Sequence, residues 1–149
     1  MIGIASDHAG YQVKEKLITY LEELGYNVND YGTYVEGESV DYPDFAFKVG
    51  EAVANKGINK GILICKTGIG MTIACNKVMG VRCAKVENVE EARLTREHND
   101  ANVIALSALK SIEEIKNIVK VFLETNFSNE SRHLKRIEKI TNYEEKHES

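Results

Sequence analysis

Short apolar runs alternate with helical stripes along the chain. Met1 to Ser6 is an apolar run that closes on the polar pair Asp7 and His8. From Tyr11 to Leu24, Val13, Leu17, Leu21 and Leu24 recur at helical spacing, and Gly25 ends the segment. Asn27 to Tyr31 reads as a second strand and Gly32 to Pro43 as a loop of glycines and acidic residues. A helix follows from about Asp44 to Asn55. Gly61 to Cys65 is a continuous apolar run, the pattern of a strand buried on both faces. Beyond the loop Lys66–Gly70 a helix runs to about Val78. Val81 to Val86 predicts a strand, Val89 to Asn99 a helix and Val103 to Leu106 a further strand. Ser111 caps a helix striped by Ile112, Ile115, Val119 and Phe122, with Glu114 where a capping box wants it. Leu134, Ile137 and Ile140 mark a last helix.

Strands alternating with helices predict an α/β fold. The expectation is a three-layer α/β/α sandwich around a Rossmann-like parallel sheet of about five strands. The chain of 149 residues reads as a single domain, with 144–149 as a frayed tail. Such sheets bind ligands beyond the carboxyl ends of their strands. Three polar groups are expected there: Asp7 with His8, Cys65 with its loop, and His98 with Asn99 shortly before the fifth strand.

Composition narrows the function. The net charge is −4 and no basic block exists, which argues against nucleic acid as a partner. No stretch reaches the ~18 apolar residues of a membrane span. No basic segment followed by a cleavage site opens the chain, so no secretory leader is expected. Cysteines stand at 65, 75 and 83; this odd count without paired spacing predicts reduced thiols and a cytoplasmic location.

The Cys65 loop is the main candidate for chemistry. Gly68 and Gly70 allow a tight turn into a helix, whose first N–H groups have no intrahelical partner. That arrangement suits a phosphate or a developing oxyanion, and it favours a cysteine thiolate at the strand end. A buried cysteine above an ordinary strand–helix turn has the same spacing. The loop lacks the P-loop pattern, and the dinucleotide fingerprint would need glycine at Ile73. A cysteine phosphatase loop would need arginine at Met71. Asp7 either aims at a ligand or caps the next helix. His98 suits proton transfer near neutral pH, although a lone helix-end histidine is often only solvated. Arg132 and Arg136 share one helix face and suit a phosphate dianion, or form a plain basic face with Lys135 and Lys139. His133 and His147 have no supporting pattern beyond the arginines beside His133. No His, Cys, Asp or Glu group has metal-ligand spacing, so no metal or other cofactor is expected.

Together these motifs carry a resemblance. They are Ser6-Asp7-His8-Ala9-Gly10, Asp41-Tyr42-Pro43, Gly61 to Cys65 with Thr67-Gly68-Ile69-Gly70-Met71, then Ala74, Asn76 and Lys77, Arg96 to Asn102, and Arg132-His133 with Arg136. The sequence resembles the type B ribose-5-phosphate isomerase family, which also contains galactose-6-phosphate isomerase subunits. The resemblance spans essentially the whole chain. It implies a metal-free aldose–ketose isomerase of the pentose phosphate pathway, acting on a phosphorylated sugar through an enediolate. Cys65 is then the base that takes the C2 proton. His98 opens the sugar ring with help from Asp7, and Thr67 moves a proton between O1 and O2. Backbone N–H groups around Gly68, Ile69 and Gly70 stabilise the oxyanion. His8, Arg132 and Arg136 hold the phosphate, with Asn99 and Tyr42 on the sugar. The resemblance also implies a homodimer, or a homotetramer built from it, in which a C-terminal helix brings the arginines to the neighbouring subunit.

One branch of the family uses a glutamate base at the position of Met71. With Cys65 and Met71, this sequence resembles the cysteine-base branch. It departs from the family pattern in three places. Lys66 replaces the usual glycine beside the thiol, and its charge is expected to favour the thiolate or draw in the phosphosugar. Leu109 stands where relatives often carry arginine, and Glu130-Ser131 replace a glycine pair. Two other functions fit the same residues less fully. One is an isomerase of a six-carbon phosphosugar such as allose or galactose 6-phosphate. The other is a non-catalytic sugar-phosphate-binding protein, which would need neither Cys65 nor His98.

Overall fold

The computed structural model describes residues 1–147. Five parallel strands form one sheet: β1 (Ile2–Ser6), β2 (Val28–Asp30), β3 (Lys60–Cys65), β4 (Cys83–Lys85) and β5 (Val103–Ser107), in the order β2-β1-β3-β5-β4. Six α-helices cover it: α1 (Tyr11–Glu23), α2 (Tyr42–Ala54), α3 (Ile69–Cys75), α4 (Val89–Asn99), α5 (Ile112–Glu124) and α6 (Ser131–Lys146). A single 3-10 turn, His8–Gly10, precedes α1. The expected three-layer α/β/α arrangement is therefore present.

Alternation along the central strands splits the core in two. Ile4, Ile62, Ile64, Ile104 and Leu106 pack with Leu17, Leu21, Ile115 and Phe122, so α1 and α5 lie on that face. Ala5, Leu63, Cys65 and Ala105 point the other way, against Val49, Val53, Met71 and Cys75 of α2 and α3. Strands buried on both sides leave no polar position in the run, which is why Gly61–Cys65 reads as continuously apolar.

Several boundaries differ from expectation. Helix α2 starts at Tyr42, two residues earlier than expected, because Pro43 falls in the first turn, where its missing N–H costs nothing. β4 keeps only Cys83–Lys85 of the predicted strand, since Val81 is tied into a turn by its N–H to Val78 O. α3 stops at Cys75, and Asn76 turns its side chain to the edge of β4, bonding Cys83 N and O at 2.8 Å each. This blocks pairing at an exposed sheet edge. α6 continues to Lys146, past the onset of the expected fraying; residues 148 and 149 lie outside the described residues.

The strand order places a topological switch between β1 and β3. From β1 the chain moves one way to β2; from β3 it moves the other way, to β4 at the far edge and back to β5. The loops after β1 and β3 therefore diverge and leave a crevice at the carboxyl edge, where open α/β sheets take their ligands.

Candidate active site

Both loops at the switch carry candidate residues. Asp7 follows β1 directly. Its backbone N–H donates to Ile64 O at 3.2 Å, which fixes it beside the end of β3. Its side chain accepts from Gly10 N at 3.1 Å, so Asp7 does cap the 3-10 turn. One carboxylate oxygen is thus engaged. His8 is exposed beside it, and its Nδ1 accepts the Val40 N–H at 3.1 Å. An accepting Nδ1 places the proton of the neutral ring on Nε2, leaving an outward donor.

Cys65 closes β3 and is buried, with its Sγ turned into the loop that follows. The Gly68 N–H donates to Sγ at 3.1 Å. A thiolate uses that donor better than a thiol does. Gly68 turns the chain with φ 83°, and a Cβ there would stand 3.2 Å from the Leu106 backbone. Thr67 Oγ1 accepts from Ile69 N at 3.2 Å and is exposed. Helix α3 begins at Ile69, and its first backbone bond runs from Thr72 N to Gly68 O at 3.2 Å. The N–H groups of Gly70 and Met71 lie before that bond, where a helix start leaves donors without intrahelical partners. Tyr42 lies over the loop: a Cβ on Gly70 would meet its ring at 2.6 Å.

The loop is held from behind by the β5–α5 connection. Ala108 N donates to Cys65 O at 2.9 Å, and Ser107 Oγ donates to Lys66 O at 2.7 Å. The Lys66 side chain is exposed, as is Leu109 next to this brace. Ser107 and Val40 were not singled out from the sequence. Val40 acts through its backbone N–H and the Ser107 hydroxyl meets a backbone carbonyl, contacts that leave no spacing pattern in the sequence.

The Cys83 thiol is pushed well up, first by its hydrogen bond with Cys75 and then by burial. Among the described residues no group of three or more His, Cys, Asp and Glu gathers as metal ligands would.

Asp7, His8, Tyr42, Cys65, Lys66, Thr67, Gly68, Ile69 and Gly70 are thus gathered at one edge of the sheet. His98, Asn99, Arg132 and Arg136 are not, which corrects the expectation for His98 and Asn99. Helix α4 runs antiparallel to the strands, so its last residues return to the amino edge. There Asn99 O accepts Arg82 Nε at 2.9 Å, just before β4 begins. In the sheet Val103 pairs with Gly61 at that edge and Ser107 with Cys65 at the other. Four residues of strand separate them, about 13 Å at ~3.3 Å per residue.

The second group has its own architecture. The His98 and His133 rings stack with centroids 4.3 Å apart and planes 16° from parallel. Asn99, Arg136, Ile137 and Ile140 join them around a cavity of about 170 Å³. Arg132 is exposed and pairs with Glu130 at 2.9 Å. Arg96, from the same motif as His98, is buried and structural: it donates to Thr125 O, Asp100 Oδ1 and Ala101 O at 2.9, 2.7 and 2.8 Å. In the sequence His133 has only its arginine neighbours beside it. Its signal was its spacing, since 133, 137 and 140 lie on the apolar stripe of α6.

The sequence model of the Ribose/Galactose Isomerase family matches residues 2–140. Fold and match together define the class: this is an α/β isomerase. The chain belongs to the ribose/galactose isomerase family. It is 39% identical over 146 residues to ribose-5-phosphate isomerase B of Escherichia coli, covering 97% of each chain. Among solved structures it is similar to ribose-5-phosphate isomerase B of Clostridium thermocellum, with a TM-score of 0.95, 45% identity and 99% of both chains covered. It is also similar in fold to ribose-5-phosphate isomerase B of Mycoplasma genitalium, solved with bound ribulose-5-phosphate. That pair has a TM-score of 0.92 and 43% identity, covering 97% of this chain and 95% of the other.

Proposed function

We propose that this isomerase interconverts ribose 5-phosphate and ribulose 5-phosphate without a metal, through an enediolate, with Cys65 as the base. The carrying observation is Cys65 Sγ, which accepts the Gly68 N–H at 3.1 Å beside the switch point, ahead of a helix whose Gly70 and Met71 N–H groups precede its first backbone bond. The bound ribulose-5-phosphate of the 43% identical Mycoplasma genitalium relative supports the substrate.

The chemistry follows from these groups. The Cys65 thiolate takes the proton from C2 of the open-chain aldose. The electron pair of that C–H bond forms the C1–C2 double bond, and O1 takes the negative charge. Loop N–H groups fixed beforehand stabilise that oxygen, and one such donor is worth ~3 kcal/mol. The Thr67 hydroxyl relays a proton from O2 to O1. The Cys65 thiol then returns its proton to C1, giving the ketose and restoring the thiolate. His8 meets the phosphate through Nε2–H, and Tyr42 lies along the sugar.

A second copy completes the site. His98, Asn99, Arg132 and Arg136 lie at the wrong edge to reach Cys65 of their own chain, yet ring opening and phosphate binding call for their chemistry. In a two-fold dimer the amino-edge group of one subunit meets the carboxyl-edge group of the other, in two equivalent sites. His98 of the partner subunit would then open the ring with Asp7, and the arginines would take the phosphate. Apolar side chains next to each group support such a contact: Ile73 on α3 is 59% exposed and Tyr143 on α6 is 67% exposed. Among the described residues no helix is long and apolar enough to cross a membrane.

The test is an isomerase assay with ribose, allose and galactose phosphates side by side, with chelator present, for wild type and Cys65→Ala. The reading expects ribose 5-phosphate as the best substrate, no effect of chelator, and loss of turnover in Cys65→Ala with binding retained. A fully active Cys65→Ala would overturn the mechanism.

A further inference from the structure

His133 is a titratable group that the proposed chemistry leaves idle, and its surroundings are unusual. It is buried, 5% exposed, within a helix whose neighbouring positions Arg132, Leu134, Lys135 and Arg136 all face solvent. Its Nε2 is buried without a hydrogen bond; the nearest carboxylate oxygen, on Glu130, lies 3.3 Å away in poor alignment. Leaving a buried polar nitrogen unsatisfied is costly, so a phenylalanine or leucine would serve packing better. The ring face, in contrast, is well used: it lies against the His98 imidazole at 4.3 Å, 16° from parallel.

The geometry points to His133 as a positioning residue that, in its neutral form, holds the His98 imidazole flat and leaves the His98 ring edge free for the sugar. This rests on the proposed role of His98 in ring opening. An imidazole on an exposed helix end can rotate about χ2, whose preferences are broad. A flat partner across the ring removes that freedom. The stack survives only while the two rings do not both carry charge, because face-to-face imidazolium ions repel. Burial opposes a proton on His133, and so do the charges around it: His98 on α4 and Arg132 and Arg136 on α6, with Glu130 alone acting the other way. Acidification thus takes the stack apart when the second proton binds.

The experiment combines kcat and KM against pH with the imidazole NMR signals of His98. It uses the full chain as wild type, His133→Ala, His133→Phe and His98→Ala. Loss of the stack in His133→Ala should lower kcat on ribose 5-phosphate by about 10- to 100-fold. KM should move less, since the phosphate contacts remain. The His98 signals should lose their ring-current displacement. His133→Phe, which stacks but cannot titrate, should recover most of the lost rate and turn the acid limb from a two-proton into a one-proton fall. If His133→Ala keeps the wild-type kcat and acid limb while His98→Ala is inactive, the inference fails alone. His98 signals unchanged in His133→Ala also overturn it, whatever the activity. A fully active His98→Ala overturns the underlying reading and the inference with it.

Discussion

Cys65 ends β3 at the carboxyl edge of the sheet, and His98 stands near the end of α4 at the amino edge, with the length of a strand between them. The two residues best suited to move protons on a sugar therefore lie at opposite edges of the sheet in one subunit. Their separation makes a sharp prediction about mixing inactive variants.

Cys65→Ala and His98→Ala should each be inactive as homodimers. When they are mixed and allowed to exchange subunits, a heterodimer has one site carrying both substitutions and one site carrying neither. Random exchange makes half the dimers mixed, so activity should return to about a quarter of wild type. Recovery after co-refolding, followed by the isomerase assay, is the readout. No recovery from well-exchanged mixtures would place both residues in one subunit's site.

The loop glycines should separate stability from function. Gly68 has φ 83°, and a Cβ would press on the Leu106 backbone at 3.2 Å, which has no room to yield. Gly68→Ala should cost about 1–2 kcal/mol from the left-handed backbone alone and lower Tm. At Gly70 the obstacle is the Tyr42 ring at 2.6 Å, and Tyr42 is a partly exposed side chain that can move aside. Gly70→Ala should keep Tm near wild type and raise KM, because the displaced ring no longer lies over the loop. Equal Tm losses in the two variants would contradict this division.

Much of this arrangement was legible in the sequence. The Ile62–Cys65 run announces a doubly buried strand because both faces of a central parallel strand are covered, and the turn after it announces itself by glycines. The sequence places His98 close to β5 but does not show which end of that strand it meets. The antiparallel run of α4 sends it to the amino edge. His133 and Lys14 stayed hidden for a different reason. Each is a polar residue on the apolar side of a helix, and only tertiary packing tells whether it snorkels, stacks or pairs.

Lys14 shows what such a residue costs. Its side chain is fully buried, and its ammonium meets Asp30 at 2.7 Å and Glu15 at 2.9 Å. Asp30 also accepts the Gly32 N–H at 2.9 Å, tying α1 to the start of the loop that reaches His8. Removing one partner leaves the other charge uncompensated, which is worse for fully buried Lys14 than for Asp30, whose side chain is 30% exposed and keeps the Gly32 N–H. Asp30→Ala should cost about 2–3 kcal/mol, less than a complete loss of pairing because Glu15 remains. Lys14→Met should cost less than Asp30→Ala. Urea midpoints of the two variants give the comparison, and the reverse order would show that the ion pair is not what matters there.

Acid should weaken the fold through His133. Burial first, and then the neighbouring His98 and Arg132, hold its imidazole below the ordinary histidine range. An unfolded chain takes up that proton near pH ~6.5. Between there and the lower folded value, the unfolded state binds a proton that the native state refuses. Stability is therefore intact above the unfolded value, declines as pH falls through this window, and stops declining from this source once the native ring also protonates. Urea unfolding at about pH 7.5 and about pH 5.5 should show a smaller loss for His133→Phe than for wild type, since phenylalanine has no proton to refuse. Equal losses in the two proteins would mean that the acid sensitivity arises elsewhere, and that the stacked pair tolerates its second charge.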